Sequence, residues 1–268
     1  MSYNVVMKNL IDELMKKEKI EYYGIIPFEK CRVINEPLLK RSTDGRTPKS
    51  VIMIAVPYYN GEYEGRNISL YAVPKDYHLY FKSLYSRLEG ALNDASGYFF
   101  KGFADHSPIS ETYAAAYAGL GVIGKKFQLI NDKYGSHVFL GEIITDYVPE
   151  KYIENDIKFC KNCGMCEKAC PGSDECLSGI TQKKGTLNEH EQMLIAKSGC
   201  AWGCDVCRTV CPMNSNIEKT PIEFFKTDLI PVLTSEQIQR MSKDEFTSRA
   251  YAWKGRTTIV RNLKLIQK

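Results

Sequence analysis

Long hydrophobic segments are missing from this sequence of 268 residues. The longest apolar run, residues 51–56 (VIMIAV), is far shorter than the roughly 20 residues that a membrane-spanning helix needs. The first residues, MSYNVVMKNLIDELMKKEK, have the spacing of an amphipathic helix and lack the apolar core and cleavage site of a signal peptide. We therefore expect a cytoplasmic protein without a membrane partner.

A strong charge imbalance is also missing, since the formal net charge is only +4. That value does not by itself indicate a nucleic-acid-binding protein. Near the C-terminus, however, eight basic residues stand against two acidic ones, Asp244 and Glu245. This stretch is either a solvated helix face or a surface that binds anions or RNA. Its basic residues are Arg240, Lys243, Arg249, Lys254, Arg256, Arg261, Lys264 and Lys268.

Cysteine, by contrast, is abundant. Nine of the ten cysteines lie between Cys160 and Cys211, and only Cys31 stands apart. A disulfide-rich secreted protein would carry a secretory signal and would usually be small, and this sequence has neither property. Clustered cysteines in a chain of this kind indicate metal binding.

The first cysteine motif has the spacing of an iron–sulfur protein. Three cysteines, each separated by two residues, can surround one corner of a [4Fe–4S] cluster, and a fourth followed by proline binds the other cluster in two-cluster ferredoxins. Two CxxC pairs could also bind zinc, but four cysteines at this spacing before a proline favour iron and sulfur. The motif is Cys160-x2-Cys163-x2-Cys166-x3-Cys170-Pro171.

The second motif, Cys204-x2-Cys207-x3-Cys211-Pro212, repeats the end of the first but lacks its opening cysteine. The missing ligand must be Cys176 or Cys200, and spacing alone does not choose between them. By the crossover seen in two-cluster ferredoxins, cluster one takes Cys160, Cys163, Cys166 and Cys211. Cluster two takes Cys170, Cys204, Cys207 and one of that pair.

By composition the chain divides into three predicted regions. Residues 1–150 predict a mixed α/β (α+β) domain. Residues 151–215 predict a ferredoxin-like domain with two [4Fe–4S] clusters, and residues 216–268 a short, basic, helical tail. The expected helices lie at 5–17, 80–95, 111–118 and within 235–268, and the expected buried strands at 51–59 and 137–145.

The upstream region indicates an enzyme, because holding two clusters needs far fewer residues than this chain has. A GxGxxG pattern at residues 119–124 follows a predicted helix rather than a strand, so it does not support a dinucleotide-binding fold. It is either a helix end with a tight turn or a place where backbone approaches a ligand.

The sequence resembles the epoxyqueuosine reductases, corrinoid-dependent iron–sulfur enzymes that complete queuosine in tRNA. The resemblance spans nearly the whole chain in the same order. Besides the cysteine motifs, the matching stretches are residues 48–52 (PKSVI), 57–59 (PYY), 70–72 (LYA), 76–78 (DYH), 105–108 (DHSP), 118–125 (AGLGVIGK), 134–136 (YGS), 139–143 (FLGEI), 254–256 (KGR) and 260–262 (VRN).

The resemblance implies a cobalamin lodged between the N-terminal domain and the cluster domain. By the resemblance, residues 1–150 bind corrinoid and substrate. Asp105 takes the position of the family's proton donor, although the residues alone favour a helix N-cap. Cys176 takes the position of the cluster-two ligand. The implied corrinoid contacts are Gly124, Lys125, Lys126, Ser178, Cys204 and Asp205.

The implied reaction begins with an external donor, ferredoxin or flavodoxin, that reduces the clusters. Electrons pass to cobalamin, and epoxyqueuosine in tRNA loses its epoxide oxygen while Asp105 supplies a proton. We expect a monomer. We also expect a short form of the family, because longer members carry C-terminal helical repeats after the stretch that ends near Asn262. His106 stands where a small residue is more usual.

Two other functions remain as alternatives. One is a non-catalytic electron carrier that reduces a separate corrinoid protein. In that case this chain would bind no corrinoid itself. The other is a reductive dehalogenase-like enzyme that uses the same pair of cofactors on other substrates.

Overall fold

The computed structural model describes residues 3–172 and 175–267, with backbone only for Tyr3 and Asn4. Lys268, counted above in the basic tail, lies outside the described residues. The chain forms two compact units, each built from two segments. Unit 1 comprises Met1–Pro57 and Tyr80–Asn162, and unit 2 comprises Tyr58–Leu79 and Cys163–Lys268.

A four-stranded antiparallel sheet forms the centre of unit 1. Its strands are β1 (Tyr22–Pro27), β2 (Ser50–Pro57), β3 (Phe100–Phe103) and β6 (Val138–Thr145), in the spatial order β1-β2-β6-β3. A separate two-stranded hairpin joins β4 (Val122–Ile123) to β5 (Leu129–Ile130). Every residue of β2 is buried, which explains why its sequence is a continuous apolar run rather than an alternating one.

Four helices accompany the sheet: α1 (Tyr3–Lys17), α2 (Glu36–Ser42), α3 (Tyr77–Asp94) and α4 (Glu111–Tyr117). The start of α3 lies in the unit 2 segment and the rest in unit 1. The α2 helix begins where Asn35 accepts a hydrogen bond from the backbone N–H of Leu38, at 3.1 Å. The α4 helix buries its alanines in the core around β2 and β6.

Unit 2 is largely helical. Its helices are α5 (Met165–Lys168), α6 (Leu177–Thr181), α7 (Glu189–Ser198), α8 (Val206–Thr209), α9 (Ser235–Arg240), α10 (Lys243–Thr247) and α11 (Arg256–Ile266). Its main core surrounds Trp202 and Tyr251, both fully buried, together with the apolar face of α11. Within the described ranges no helix combines the length and the apolarity needed to cross a membrane.

The expected secondary structure is confirmed to within a few residues at each end. The helices expected at 5–17, 80–95 and 111–118 correspond to α1, α3 and α4, and the strands expected at 51–59 and 137–145 to β2 and β6. Sequence analysis missed α7, although Asn188 and Glu191 form a capping box at its start. The chain is thus a mixed α+β protein.

Two glycines let the aromatic side chains of α3 pack closely on the sheet. A Cβ atom at Gly141 on β6 would overlap the side chains of Tyr85 and Phe81, and one at Gly102 on β3 would overlap the Tyr85 ring. Gly90, on the exposed side of α3, has open space around it. The close approach of helix and sheet therefore depends on the missing side chains at Gly102 and Gly141.

We expect Gly141→Ala to lower the free energy of unfolding by about 1–3 kcal/mol, the usual effect of overpacking a buried site. The matched control, Gly90→Ala, should raise that free energy by about 0.5–1 kcal/mol because glycine is unfavourable within a helix. Urea denaturation of both variants measures the effect. Equal shifts for the two alanines would contradict this account of the packing.

Candidate functional site

The two cysteine motifs build the same local structure within unit 2. Cys166 is the second residue of α5, and Cys207 is the second residue of α8. Each of these short helices is followed, two residues beyond its end, by a cysteine and a proline: Cys170 and Cys211 are those cysteines. The α5 and α8 helices also pack against each other. The sequence repeat is therefore a structural repeat.

A buried carboxylate fixes the second motif in place. Asp205 lies between Cys204 and α8, and its oxygens accept hydrogen bonds from the Ser69 hydroxyl at 2.6 Å and the Leu70 backbone N–H at 2.7 Å. The guanidinium of Arg66 donates to the same carboxylate at 2.8 Å. A buried charge is tolerated when donors of this kind surround it. The carboxylate predicted to lie on the corrinoid side is thus bonded to its own unit.

The backbone before Cys204 needs a glycine. Gly203 has φ +73°, a conformation that side chains rarely adopt, and an added Cβ would meet the Cβ of Ser69 at 2.5 Å. The Ser69 backbone N–H donates to the Trp202 carbonyl at 2.7 Å, and the Trp202 indole donates to the Tyr71 hydroxyl at 2.8 Å. Residues 66–71 therefore fix the start of the second motif.

All ten cysteines lie among the described residues, and none forms a disulfide. In residues 3–172 and 175–267, no three histidine, cysteine, aspartate or glutamate side chains gather into a group that could hold a metal ion. Cys160 belongs to unit 1, where its backbone N–H donates to the Ile123 carbonyl at 3.0 Å. The other eight motif-region cysteines belong to unit 2.

The two alternatives for the last cluster ligand have different surroundings. The Cys200 thiol lies 3.4 Å from the carbonyl oxygens of both Trp202 and Gly203, which accept a bond from S–H and not from a thiolate. Cys176 is exposed, directly before α6. Burial raises the pKa of Cys200 to about 12, but burial also raises that of Cys204, to about 11. Cys170, which the first motif predicts as a ligand, makes the same kind of contact with the Gly172 carbonyl at 3.1 Å, so neither the hydrogen bonds nor the pKa values separate the two cysteines.

A cavity of about 240 Å³ opens beside the second motif within unit 2. It brings together Cys204 and Asp205, two of the predicted corrinoid contacts, with Cys200, Arg66 and Leu177 in its wall. Ser178 follows Leu177 in α6, is half-buried, and accepts a hydrogen bond from the Gln182 side chain at 3.2 Å.

In unit 1, the GxGxxG pattern forms the end of α4 and the β4–β5 hairpin, not a strand-to-helix turn. The turn is closed by a bond from the Gly124 N–H to the Gln128 carbonyl at 2.8 Å. It presents three consecutive exposed side chains, Lys125, Lys126 and Phe127, and Phe127 has φ +57°. An exposed aromatic residue held in the left-handed region is uncommon outside functional sites.

Asp105 lies on the loop between β3 and α4, with an exposed side chain and φ +64°. Its backbone N–H donates to the carboxylate of Glu111 at 3.1 Å. The α4 helix begins at Glu111 with Ser110 at the N-cap position, so Asp105 is not its cap. That alternative from the sequence is excluded.

Sequence analysis missed a buried acidic residue beneath this loop. Glu142 lies in the middle of β6, is fully buried, and contacts the hydroxyl of Ser107. Burial, followed by the charge of Glu111, raises its pKa well above the usual range. The signal that could have revealed it is a single glutamate inside an apolar strand sequence, FLGEIIT.

The basic tail divides into two kinds of residue. Three arginines direct their guanidinium groups to backbone carbonyls of unit 2: Arg249, Arg256 and Arg261 donate to Asp228, Met241 and Gly185, respectively. Arg240, Lys243 and Lys264 have exposed side chains. Three of the eight basic residues counted in the tail therefore stabilise unit 2 through hydrogen bonds to backbone carbonyls.

Comparison with known proteins places the chain in a family. Residues 45–106 match the family model described as "Epoxyqueuosine reductase QueG, DUF1730". The epoxyqueuosine reductase of Leadbetterella byssophila is 30 % identical over 236 residues, which cover 81 % of this chain and 74 % of that protein.

Solved structures share the fold. A crystal structure of an epoxyqueuosine reductase with an epoxyqueuosine-modified tRNA-Tyr stem loop matches 97 % of this chain and 81 % of that one, with a TM-score of 0.78 and 23 % identity. The catabolic reductive dehalogenase NpRdhA matches more weakly, with a TM-score of 0.53 and 14 % identity over 37 % of its length. By its similarity to the Leadbetterella protein along most of both sequences, this chain belongs to the epoxyqueuosine reductase family.

Proposed function

We propose that this protein is an oxidoreductase that converts epoxyqueuosine to queuosine in tRNA. The observation that carries the proposal is the 30 % identity to an epoxyqueuosine reductase across 74 % of that relative. The substrate follows from the same relationship, and a structurally similar epoxyqueuosine reductase has been crystallised with a modified tRNA stem loop. The reaction takes place in the cytoplasm, on a monomeric enzyme.

We propose two [4Fe–4S] clusters in a ferredoxin-like arrangement. Support comes from the motif spacing and from the equivalent positions of Cys166 and Cys207 on α5 and α8. The donor chemistry fits, because every motif cysteine is free of disulfide bonds. The proposed ligands are Cys160, Cys163, Cys166 and Cys211 for one cluster, and Cys170, Cys176, Cys204 and Cys207 for the other.

The choice of Cys176 over Cys200 rests on the resemblance to the family, in which Cys176 takes the position of the cluster-two ligand. Cys176 is also exposed, directly before α6, whereas Cys200 is partly buried against the carbonyl oxygens of Trp202 and Gly203. A ferredoxin or flavodoxin is the proposed donor of electrons to the clusters.

We propose cobalamin as the second cofactor. When bound, it would supply the strongly reducing, nucleophilic cobalt centre that protein side chains cannot provide. The residues present fit its amide-rich periphery: the exposed ammonium groups of Lys125 and Lys126 would donate to its amide oxygens, and Gly124 closes the turn that presents them. In unit 2, the candidate contacts are Ser178, Cys204 and Asp205, the last acting through its backbone because its carboxylate is already bonded.

Asp105 is the proposed proton donor. Loss of the epoxide oxygen as water requires protons as well as electrons, and a carboxyl group on an exposed loop can deliver one to the departing oxygen. The left-handed backbone of Asp105 and the hydrogen bond from its N–H to Glu111 fix the backbone position from which the carboxyl group extends. We therefore assign the acid to Asp105, with His106 as the next candidate.

The two alternative functions make different demands. An electron carrier would have no use for Asp105 or for the β4–β5 turn, and a dehalogenase would act on a small halogenated substrate. The weaker structural match to a dehalogenase reflects a shared fold and gives no information about the substrate.

For tRNA, the exposed Lys243 and Lys264 of the tail are available for phosphate contacts.

For the clusters, we expect Cys176→Ser to reduce iron from about eight to about four atoms per chain and to weaken the visible absorption in proportion. Cys200→Ser should keep the full iron content, as should the control Cys31→Ser, which lies outside the motifs. Iron analysis of anaerobically purified protein measures this. Loss of iron in Cys200→Ser with retention in Cys176→Ser would reverse the assignment.

For the proton donor, we expect Asp105→Asn to slow single-turnover reduction of epoxyqueuosine in tRNA by about 10²–10⁴-fold, the usual value of general acid catalysis. Asparagine tolerates the left-handed conformation, so the loop should keep its shape. The control is Asp44→Asn, another exposed aspartate with positive φ, which should turn over normally. Near-normal turnover by Asp105→Asn would refute the role.

A further inference from the structure

Glu142 is a carboxyl group buried inside the sheet of unit 1. It stands opposite Met53 of β2 and Phe103 of β3, both apolar. Its side chain is fully buried. An ionised carboxylate in such a place is strongly disfavoured unless donors or a cation surround it.

The groups around Glu142 supply few hydrogen-bond donors. The Ser107 hydroxyl contacts Oε1 of Glu142, but it also lies 2.9 Å from the Ile109 carbonyl and has only one proton to donate. Oε2 is buried, and no conventional donor reaches it within the described residues. If Ser107 donates to Ile109, its contact with Glu142 is a hydrogen bond only when Glu142 is protonated.

The remaining neighbour of Glu142 is a second carboxyl. Glu111, at the start of α4, lies within hydrogen-bonding reach and close enough for its charge to raise the pKa of Glu142. Two carboxyl groups can bond each other only when a proton lies between them. The other titratable groups that face Glu142 are Cys31, before α2, and Tyr85, on α3. Burial and the charge of Glu142 raise the pKa of both, which keeps them neutral, and neither a thiol nor a phenol can carry a positive charge.

Glu111 also holds the loop that carries Asp105. Its Oε1 accepts the Asp105 backbone N–H at 3.1 Å. The loop is tightly turned: the His106 N–H bonds the Ala104 carbonyl at 2.7 Å, and the Ser107 N–H bonds the Asp105 carbonyl at 3.1 Å. Both Glu111 and Ser107 therefore connect the buried Glu142 to the backbone at Asp105.

We propose that Glu142 is a positioning residue for Asp105: it shares one proton with Glu111, and the protonated pair holds the 104–110 loop in place. Loss of that proton puts two negative charges side by side, one of them buried among apolar side chains, and the pair separates. Glu111 then no longer holds the Asp105 N–H, and the loop loosens. The consequence for catalysis rests on the proposed role of Asp105, whereas the loop behaviour does not.

Hydrogen exchange of residues 104–110, followed by mass spectrometry across a pH series, tests the proposal directly. After correction for intrinsic exchange, protection of this segment in the full chain should fall by up to about tenfold per pH unit once Glu142 ionises. Glu142→Gln keeps a neutral group of the same shape, so its protection should stay constant. The control is Glu89→Gln, since Glu89 also accepts a backbone N–H, from Gly102 at 2.8 Å, but pairs with Lys101 at the surface.

Thermal unfolding provides a second readout. Because the pKa of Glu142 is raised in the fold, its stabilising contribution is complete below the ordinary value near 4.5 and is lost as pH rises. The melting temperature of Glu142→Gln relative to the parent should therefore increase with pH. The same pH dependence of protection in the parent and in Glu142→Gln would overturn the proposal.

The outcomes separate from those for the catalytic role. Normal turnover by Asp105→Asn would remove Asp105 as the acid, yet the exchange of the loop would still respond to Glu142. Conversely, a pH-independent loop together with a slow Asp105→Asn variant would keep the acid and reject the positioning by Glu142.

Discussion

Unit 2 depends on the carboxylate of Asp205, which must have hydrogen-bond donors because it is buried. Those donors come from residues 66–70, more than a hundred residues earlier in the chain. The bonds fix the backbone beside Cys204 and require that Gly203 have no side chain. They also explain why the Tyr58–Leu79 segment belongs to the unit that contains the second cysteine motif. The position of Cys204, one of the proposed cluster ligands, follows from this one constraint.

A second buried carboxyl performs a different task in unit 1. Asp205 is met by a guanidinium, a hydroxyl and a backbone N–H, whereas Glu142 meets one shared hydroxyl and another carboxyl. The first environment suits a charge, and the second suits a proton. On our proposals, unit 2 carries electrons and unit 1 carries the acid, and in each a buried carboxyl fixes the backbone next to the reacting group.

The features that depend on local sequence could be predicted. Each cysteine motif is evident because its own cysteines lie on one loop and one short helix, and the strand β2 is evident because residues 51–56 are all apolar. Helix α4 and its end at the glycine-rich turn follow from composition in the same way.

Features set by distant contacts could not be predicted. The apolar strand sequence around Glu142 indicates burial, but its neighbours Met53 and Phe103 follow from the pairing of β6 with β2 and β3, which the local sequence does not show. Arg249 and Arg256 resemble a phosphate-binding surface when charges are counted, yet their guanidinium groups reach carbonyls brought near by the fold.

The most direct test of the central claim is a turnover assay with the whole protein. Anaerobically purified enzyme, supplied with cobalamin and a reductant, is incubated with tRNA that contains epoxyqueuosine, and the nucleosides are then analysed by mass spectrometry. The account predicts conversion to queuosine, with loss of one oxygen atom, and none when cobalamin is omitted. Unchanged epoxyqueuosine from enzyme that holds both clusters and cobalamin would contradict it.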